Sequence, residues 1–257
     1  MSDGMSALGV EFGYVAALER EVAGVVRDWT ATRARIGNVE QRVYYNYRQR
    51  AALICAGTGE ERAYTAAKAF IEKFSPRVVV SIGFAGSCVA ELDPGAVVVP
   101  ARVVEASSGR VFPCGFGSGT VVTLDQVAGK AAKQEALARL GALAVEMEAA
   151  GVAAAAAEYG KEFAAIKAIS DGAEDELDFV SGFLTPEGFG TARFMAYIAL
   201  RPELWGRVAE LNRHSRLAST ALAGAVGECS KDWQAFSARH SAAKDAAAND
   251  SSTAAQA

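Results

Sequence analysis

Across its 257 residues the chain is 51% hydrophobic and 22% charged, which fits one large soluble α/β domain with a substantial core. Its net charge of −4 gives no general case for nucleic-acid binding. No run of about 18 apolar residues is present, so no spanning helix is expected, and the start M-S-D-G-M-S has neither the basic end nor the apolar core of a signal peptide.

Val10 to Ala17 reads as a first strand, with Phe12 and Tyr14 at period two, and it runs into Glu19, Arg20 and Glu21 at a strand-to-helix junction. Those acids have two readings: a helix start favoured by the dipole, or a carboxylate aimed at a pocket. Val43 to Tyr47 and Ala51 to Ala56 read as a hairpin. G-T-G then opens a helix from about Glu60 to Phe74, which Pro76 ends. Val78 to Ile82 is an apolar, β-branched run suited to a strand covered on both faces. It delivers G-F-A-G-S, a predicted turn in which Gly83 and Gly86 let backbone N–H groups approach a ligand. L-D-P-G-A-V-V-V-P predicts a turn and a strand to about Val104. Glu105 to Gly119 reads as a long Gly- and Ser-rich loop, a kind of segment that is uncommon unless it is functional. Thr120 to Leu124 predicts a strand, and Gly129 to Leu140 a helix with Lys130, Lys133 and Arg139 outward.

The densest chemistry lies between Val145 and Asp171. Glu146, Glu148 and Asp171 flank sequence that is otherwise almost entirely apolar. Ala149 to Ala157 carries no charge, so as a helix it is buried, and its Ala and Gly positions admit another backbone. Phe163 to Ile169, interrupted by Lys167, suits an inner strand with Ser170 and Asp171 at its C-terminal end, the edge where open α/β sheets bind ligands. A lone carboxylate there is costly unless it has a partner or a role. Beyond it, Phe179 to Phe189 predicts a flap, and Thr191 to Leu200 and Arg201 to about Val226 predict helices. Five Arg against two Glu between Gly190 and Thr220 read as a solvated face; contact with lipid headgroups or a partner is the alternative. Residues 1–240 are expected to form a single domain and 241–257 a disordered tail. Cys55, Cys88, Cys114 and Cys229 form no C-x-x-C pair and read as reduced thiols of a cytoplasmic protein. With only His214 and His240 in the chain, carboxylates must carry any acid–base chemistry, and no metal or cofactor is expected.

V-E-M-E-A-A-G, followed by an Ala-rich helix and I-S-D, resembles the purine nucleoside phosphorylase and methylthioadenosine–adenosylhomocysteine nucleosidase superfamily. The resemblance implies a three-layer α/β/α fold around a central mixed, twisted sheet. It also implies cleavage of the N-glycosidic bond of an adenine nucleoside: a methylthioadenosine- or adenosylhomocysteine-like substrate or, in a hopanoid-associated branch, an adenosyl-lipid. Carried over by position, Glu21 activates the attacking water and Glu148 holds the ribose hydroxyls. Met147 packs under the sugar, and Glu146 has no assigned role. Asp171 protonates the departing purine at N7, with Ser170 orienting it. Gly83, Phe84, Ala85 and Gly86 lie beside the ribose and the nucleophile, and Val127 is the closest match to the base-stacking position. The phosphorylase branch carries Arg and Ser where this chain has Ser81 and Phe84, which favours hydrolysis over phosphorolysis. A phosphorylase and a non-catalytic nucleoside-binding module are the alternatives. The expected partners are a small purine nucleoside and a second copy of the chain, a dimer being favoured.

Overall fold

The computed structural model describes residues 9–177, 182–185, 188–189, 197 and 200–241. The expected tail, most of the helix expected over 191–200, and much of the predicted flap lie outside the described residues.

The described residues form an 11-stranded mixed sheet. Its centre is β5 (Val78–Ser87), whose apolar run is buried nearly throughout. On one side β5 pairs in parallel with β1 (Phe12–Ala16), and β1 in turn pairs in parallel with β4 (Ala51–Cys55). The hairpin is formed as expected, by β3 (Val39–Asn46) and β4; an outer strand, β2 (Thr30–Ile36), extends it. On its other side β5 pairs in parallel with β11 (Glu162–Asp171) from Val78 to Gly86. The far end of β5 also pairs with β10 (Ala142–Glu146), antiparallel, with Val145 opposite Gly86. β9 (Thr120–Thr123), β7 (Arg102–Glu105) and β8 (Val111–Pro113) continue the sheet outward. β6 (Val97–Val98) adds to β11, and β12 (Leu184–Thr185) pairs with β13 (Gly188–Phe189) separately.

Helices cover both faces. On one, α2 (Glu60–Phe74) and α4 (Ala149–Glu158) pack over Val15, Ile54, Val79 and Ala165. The Ala-rich sequence of α4 permits this closeness: a Cβ at Gly151 would lie 2.2 Å from the carbonyl oxygen of Glu60. On the other face Ala218, Leu222 and Val226 of α5 (Trp205–Lys231) meet Tyr14, Leu53, Val80 and Ile82, joined by Phe236 from a last helix, α6, over 233–241. This is the expected three-layer α/β/α architecture. A short α1 (Glu19–Val22) follows β1, and α3 (Lys130–Leu140) packs beside β10.

Three local expectations need correction. Gly83 to Ser87 is not a turn but the continuation of β5, because β11 and β10 supply backbone partners that override the glycine-rich composition. The segment from Glu105 to Gly119 is not a free loop: β8 pairs with β7, and Phe112 and Phe116 are core residues. Lys133 does not point outward; its side chain is 1% exposed.

Candidate active site

The C-terminal ends of β1, β5 and β11 share one edge because these strands are parallel. β1 leads into α1 and Glu21, β5 brings Phe84, Ala85 and Gly86, and β11 ends on Ser170 and Asp171. β10 reaches the same place from the opposite direction and ends on Glu146, followed by Met147 and Glu148. These residues and Val127 line one cavity of about 1140 Å³. Gly83 alone among the expected site residues does not line it. Its role is space: a Cβ there would lie 2.9 Å from Oε2 of Glu21. Gly86 acts likewise, since its Cβ would lie 2.5 Å from Oδ2 of Asp171. Both glycines admit a carboxylate to the strand rather than bend it.

Glu146 is tied into the fold. Its Oε1 accepts from the Thr123 hydroxyl at 2.5 Å. Its Oε2 accepts from the backbone N–H groups of Glu148 at 3.0 Å and Ala149 at 2.8 Å, and meets Nζ of Lys167 at 2.8 Å. It thereby satisfies N–H groups at the start of α4, which have no helical partner. Lys167 also donates to the Ser81 hydroxyl at 3.0 Å. The Lys167 and Glu146 side chains are each 1% exposed, and a buried pair of this kind depends on such additional hydrogen bonds.

Glu148 is half-buried and faces the cavity. Its Oε1 accepts from the N–H of Gly59, the second glycine of G-T-G. Burial above all, then the negative charge of Glu146, pushes its carboxyl up to about 8, against a downward pull from Lys167. Glu21 is buried, and burial raises it to about 7, with Arg20 and then Lys167 opposing. Both acids therefore exchange protons near neutrality.

Asp171 differs. Its Oδ1 accepts from Ser170 at 2.7 Å, the orientation expected from sequence, but Oδ2 meets Nζ of Lys133 at 2.6 Å. The carboxylate is not alone in a dry pocket. Lys167 had a sequence signal, a charge inside an apolar strand. Lys133 had none, because with Lys130 and Arg139 it resembles an ordinary solvated helix face. The cavity also extends beyond the carboxylates toward α5, where Trp205, Val208 and Leu211 line it; the chain's linear order gave no sign of this contribution. Among the described residues no group of three His, Cys, Asp or Glu could hold a metal ion, and no helix is long and apolar enough to cross a membrane.

A family model for the phosphorylase superfamily matches residues 11–118 and 115–185, the span that contains all of these carboxylates. The chain belongs to the phosphorylase superfamily. Similar solved structures include the apo 5′-methylthioadenosine nucleosidase of Arabidopsis thaliana, with a TM-score of 0.65, 15% identity, and 86% of this chain and 94% of that one covered. The 5′-methylthioadenosine/S-adenosylhomocysteine nucleosidase of Colwellia psychrerythraea 34H, in complex with adenine, gives a TM-score of 0.57 at 23% identity over 65% of this chain and 85% of that one. Futalosine hydrolase of Helicobacter pylori gives 0.55 at 18% identity over 63% and 88%. At these identities the likeness is one of fold. No curated protein matches the chain.

Proposed function

We propose that this member of the phosphorylase superfamily is a purine nucleosidase that releases adenine from an adenine nucleoside. The observation that carries the reading is the convergence of Glu21, Glu148 and Asp171 on one cavity from three separate elements. Hydrolysis of an N-glycosidic bond builds positive charge on the sugar and negative charge on the base, and only groups that favour that state accelerate it. Glu148 accepts from the ribose hydroxyls. Glu21, at about 7, exists partly as carboxylate at neutral pH and takes a proton from the attacking water. At the other end Asp171 gives a proton to N7 of the purine, and its second oxygen accepts from a 6-amino group, which favours adenine. Met147 supplies a soft apolar contact to the sugar, and Val127 one wall for the base.

Water rather than phosphate fits the nucleophile's place. Ser81 is buried and holds Lys167, and Phe84 presents no donor to an anion. The cavity is larger than the roughly 300–1,000 Å³ usual for small-ligand sites, and Trp205, Val208 and Leu211 offer it apolar contacts on the α5 side, beside Asn212, Ser215 and Arg216. The finer reading is therefore an adenosine with a bulky apolar 5′ substituent, an adenosyl-lipid, with methylthioadenosine as the small comparator.

The test is chromatography of the purified protein's products from adenosine, methylthioadenosine and 5′-alkyl adenosines, with and without phosphate. Adenine and a free sugar, at a rate independent of phosphate and highest for the long alkyl chains, are expected. Sugar 1-phosphates would make the protein a phosphorylase. Tight binding without turnover would make it a nucleoside-binding module.

A further inference from the structure

Lys133 lies in the first turn of α3 and is 1% exposed. Its ammonium group has three N–H donors. One meets Oδ2 of Asp171 at 2.6 Å, and the others reach the carbonyl oxygens of Gly172 at 2.7 Å and Asp175 at 3.3 Å. All three donors are used, so none is left for a ligand. The turn they hold is closed independently: Oδ2 of Asp175 accepts from the N–H of Gly172 at 2.8 Å. The missing side chain of Gly86 makes the meeting possible, because a Cβ there would lie 2.9 Å from Cε of Lys133 as well as against Asp171. Burying an ammonium group costs several kcal/mol unless its partners are excellent, so a lysine at this place calls for a reason.

Resting on the nucleosidase reading, we propose that Lys133 is the positioning residue for Asp171: it fixes the carboxylate at the end of β11 and stabilises the negative charge left there when the purine takes its proton. In the step, the O–H bond of Asp171 breaks and an N7–H bond forms, with the O–H electron pair remaining on the carboxylate. The C1′–N9 bond electrons pass to the purine, water forms the new bond to C1′, and its proton goes to Glu21. The carboxylate so produced sits 2.6 Å from a fixed cation.

The other charged and titratable groups around the pair do not take this role. The thiol of Cys88, just past β5, is pushed up to about 11, chiefly by burial, and stays neutral. Glu174 is engaged by Lys130 at the surface, and Asp175 by the turn. Glu146 is held by Lys167, and Glu148 by Gly59. Lys133 is thus the cation in contact with Asp171.

The pH dependence separates this role from mere support. Where Asp171 is protonated in the free protein, Lys133 meets a full carboxylate only in the transition state, and its charge accelerates the reaction. Where Asp171 is already ionised, the proton comes from solution and Lys133 stabilises ground and transition states alike. Lys133→Gln keeps a donor for the carbonyl groups but not the charge. Its kcat/KM for adenine release is expected to fall roughly a hundredfold at the acid end of the profile, with the deficit shrinking as pH rises. Lys133→Arg is expected to restore most of the loss. A deficit of equal size at every pH, or no rescue by arginine, would overturn the proposal.

A second measurement needs no turnover. The infrared bands of the Asp171 carboxyl group, isolated as the difference between each protein and its Asp171→Asn variant, are expected to differ between the wild-type protein and Lys133→Gln. Identical Asp171 bands in the two would overturn the proposal. Failure to release adenine from any nucleoside would defeat the nucleosidase reading, whatever the infrared spectrum gave.

Discussion

Four buried or half-buried carboxylates surround the cavity, and they divide into two pairs. Asp171 and Glu146 each meet a lysine ammonium group, at 2.6 and 2.8 Å. Glu21 and Glu148 form no ion pair among the described residues, and burial raises them to about 7 and about 8. All four line one cavity, and the fold supplies the two lysines from α3 and from the middle of β11. The site thereby holds two carboxylates each in contact with a lysine beside two that burial raises toward neutral pH.

The largest effect is expected from the lysine-paired acid at the base. Asp171→Asn keeps the size and the contact with Ser170 but has no proton to give to N7, and kcat/KM for adenine release should fall by about two to four orders of magnitude. Binding of an adenosine analogue should weaken far less, because proton donation acts mainly in the transition state. Near-normal turnover would remove Asp171 from the chemistry and erase the functional difference between the two pairs.

The other lysine pair is expected to matter for stability. Lys167→Met leaves Glu146 buried without its cation, and should cost about 3–5 kcal/mol in urea unfolding. Lys167→Met with Glu146→Gln should recover much of that loss, since removing both charges leaves no uncompensated ion. A double variant no more stable than the single one would show that the hydrogen bonds to Ser81 and Thr123, not the charges, hold this region.

The unpaired acids can be tested through pH. Glu21 binds its proton more tightly folded, at about 7, than unfolded, near 4.5. Its contribution is therefore fully present below about 4.5 and is lost as pH rises to about 7, a change on the order of 3 kcal/mol. Glu21→Gln removes this dependence, so its stability relative to wild type should rise through that window, as followed by chemical denaturation at each pH. The same variant should lose most turnover while keeping substrate binding, because taking the water's proton requires the carboxylate. Identical stability profiles for the two proteins would mean that Glu21 is ionised when folded.

The smallest effect is expected at Thr123→Val, which deletes the 2.5 Å hydrogen bond to Glu146 and the acceptor for the N–H of Ala150. A loss of about 1–3 kcal/mol in thermal or urea unfolding is expected, with KM little changed, since Glu146 keeps Lys167. A loss in activity larger than the loss in stability would move Glu146 from support into chemistry.

Much of the fold and of the candidate site was legible in the chain. The apolar V-V-V-S-I run, the chargeless helix after V-E-M-E and the inner strand ending in I-S-D stand where hydrophobic pattern puts them. The strand ends bring Glu148, Ser170 and Asp171 to a common cavity, Ser170 and Asp171 on the parallel β11 and Glu148 after the antiparallel β10. G-F-A-G-S was misread because glycine favours turns in isolation, while two flanking strands hold it extended. Lys133 was misread because helical spacing alone cannot tell a solvated lysine from one whose face lies under a strand end.

What the amino-acid order determined by itself is therefore local and periodic: which runs are buried, where helices and strands begin, and which acids stand at the strand ends. Hydrophobic period and side-chain volume are properties of neighbouring residues, so they survive without the fold. The partner of each acid was decided only in three dimensions. Two of them have a lysine ammonium group within about 3 Å, and the lysine that meets Asp171 comes from 38 positions earlier in the chain. Coulomb attraction in a dry interior is strong at that separation and sensitive to it. Sequence spacing does not encode such a distance; the packing of α3 against the end of β5 does.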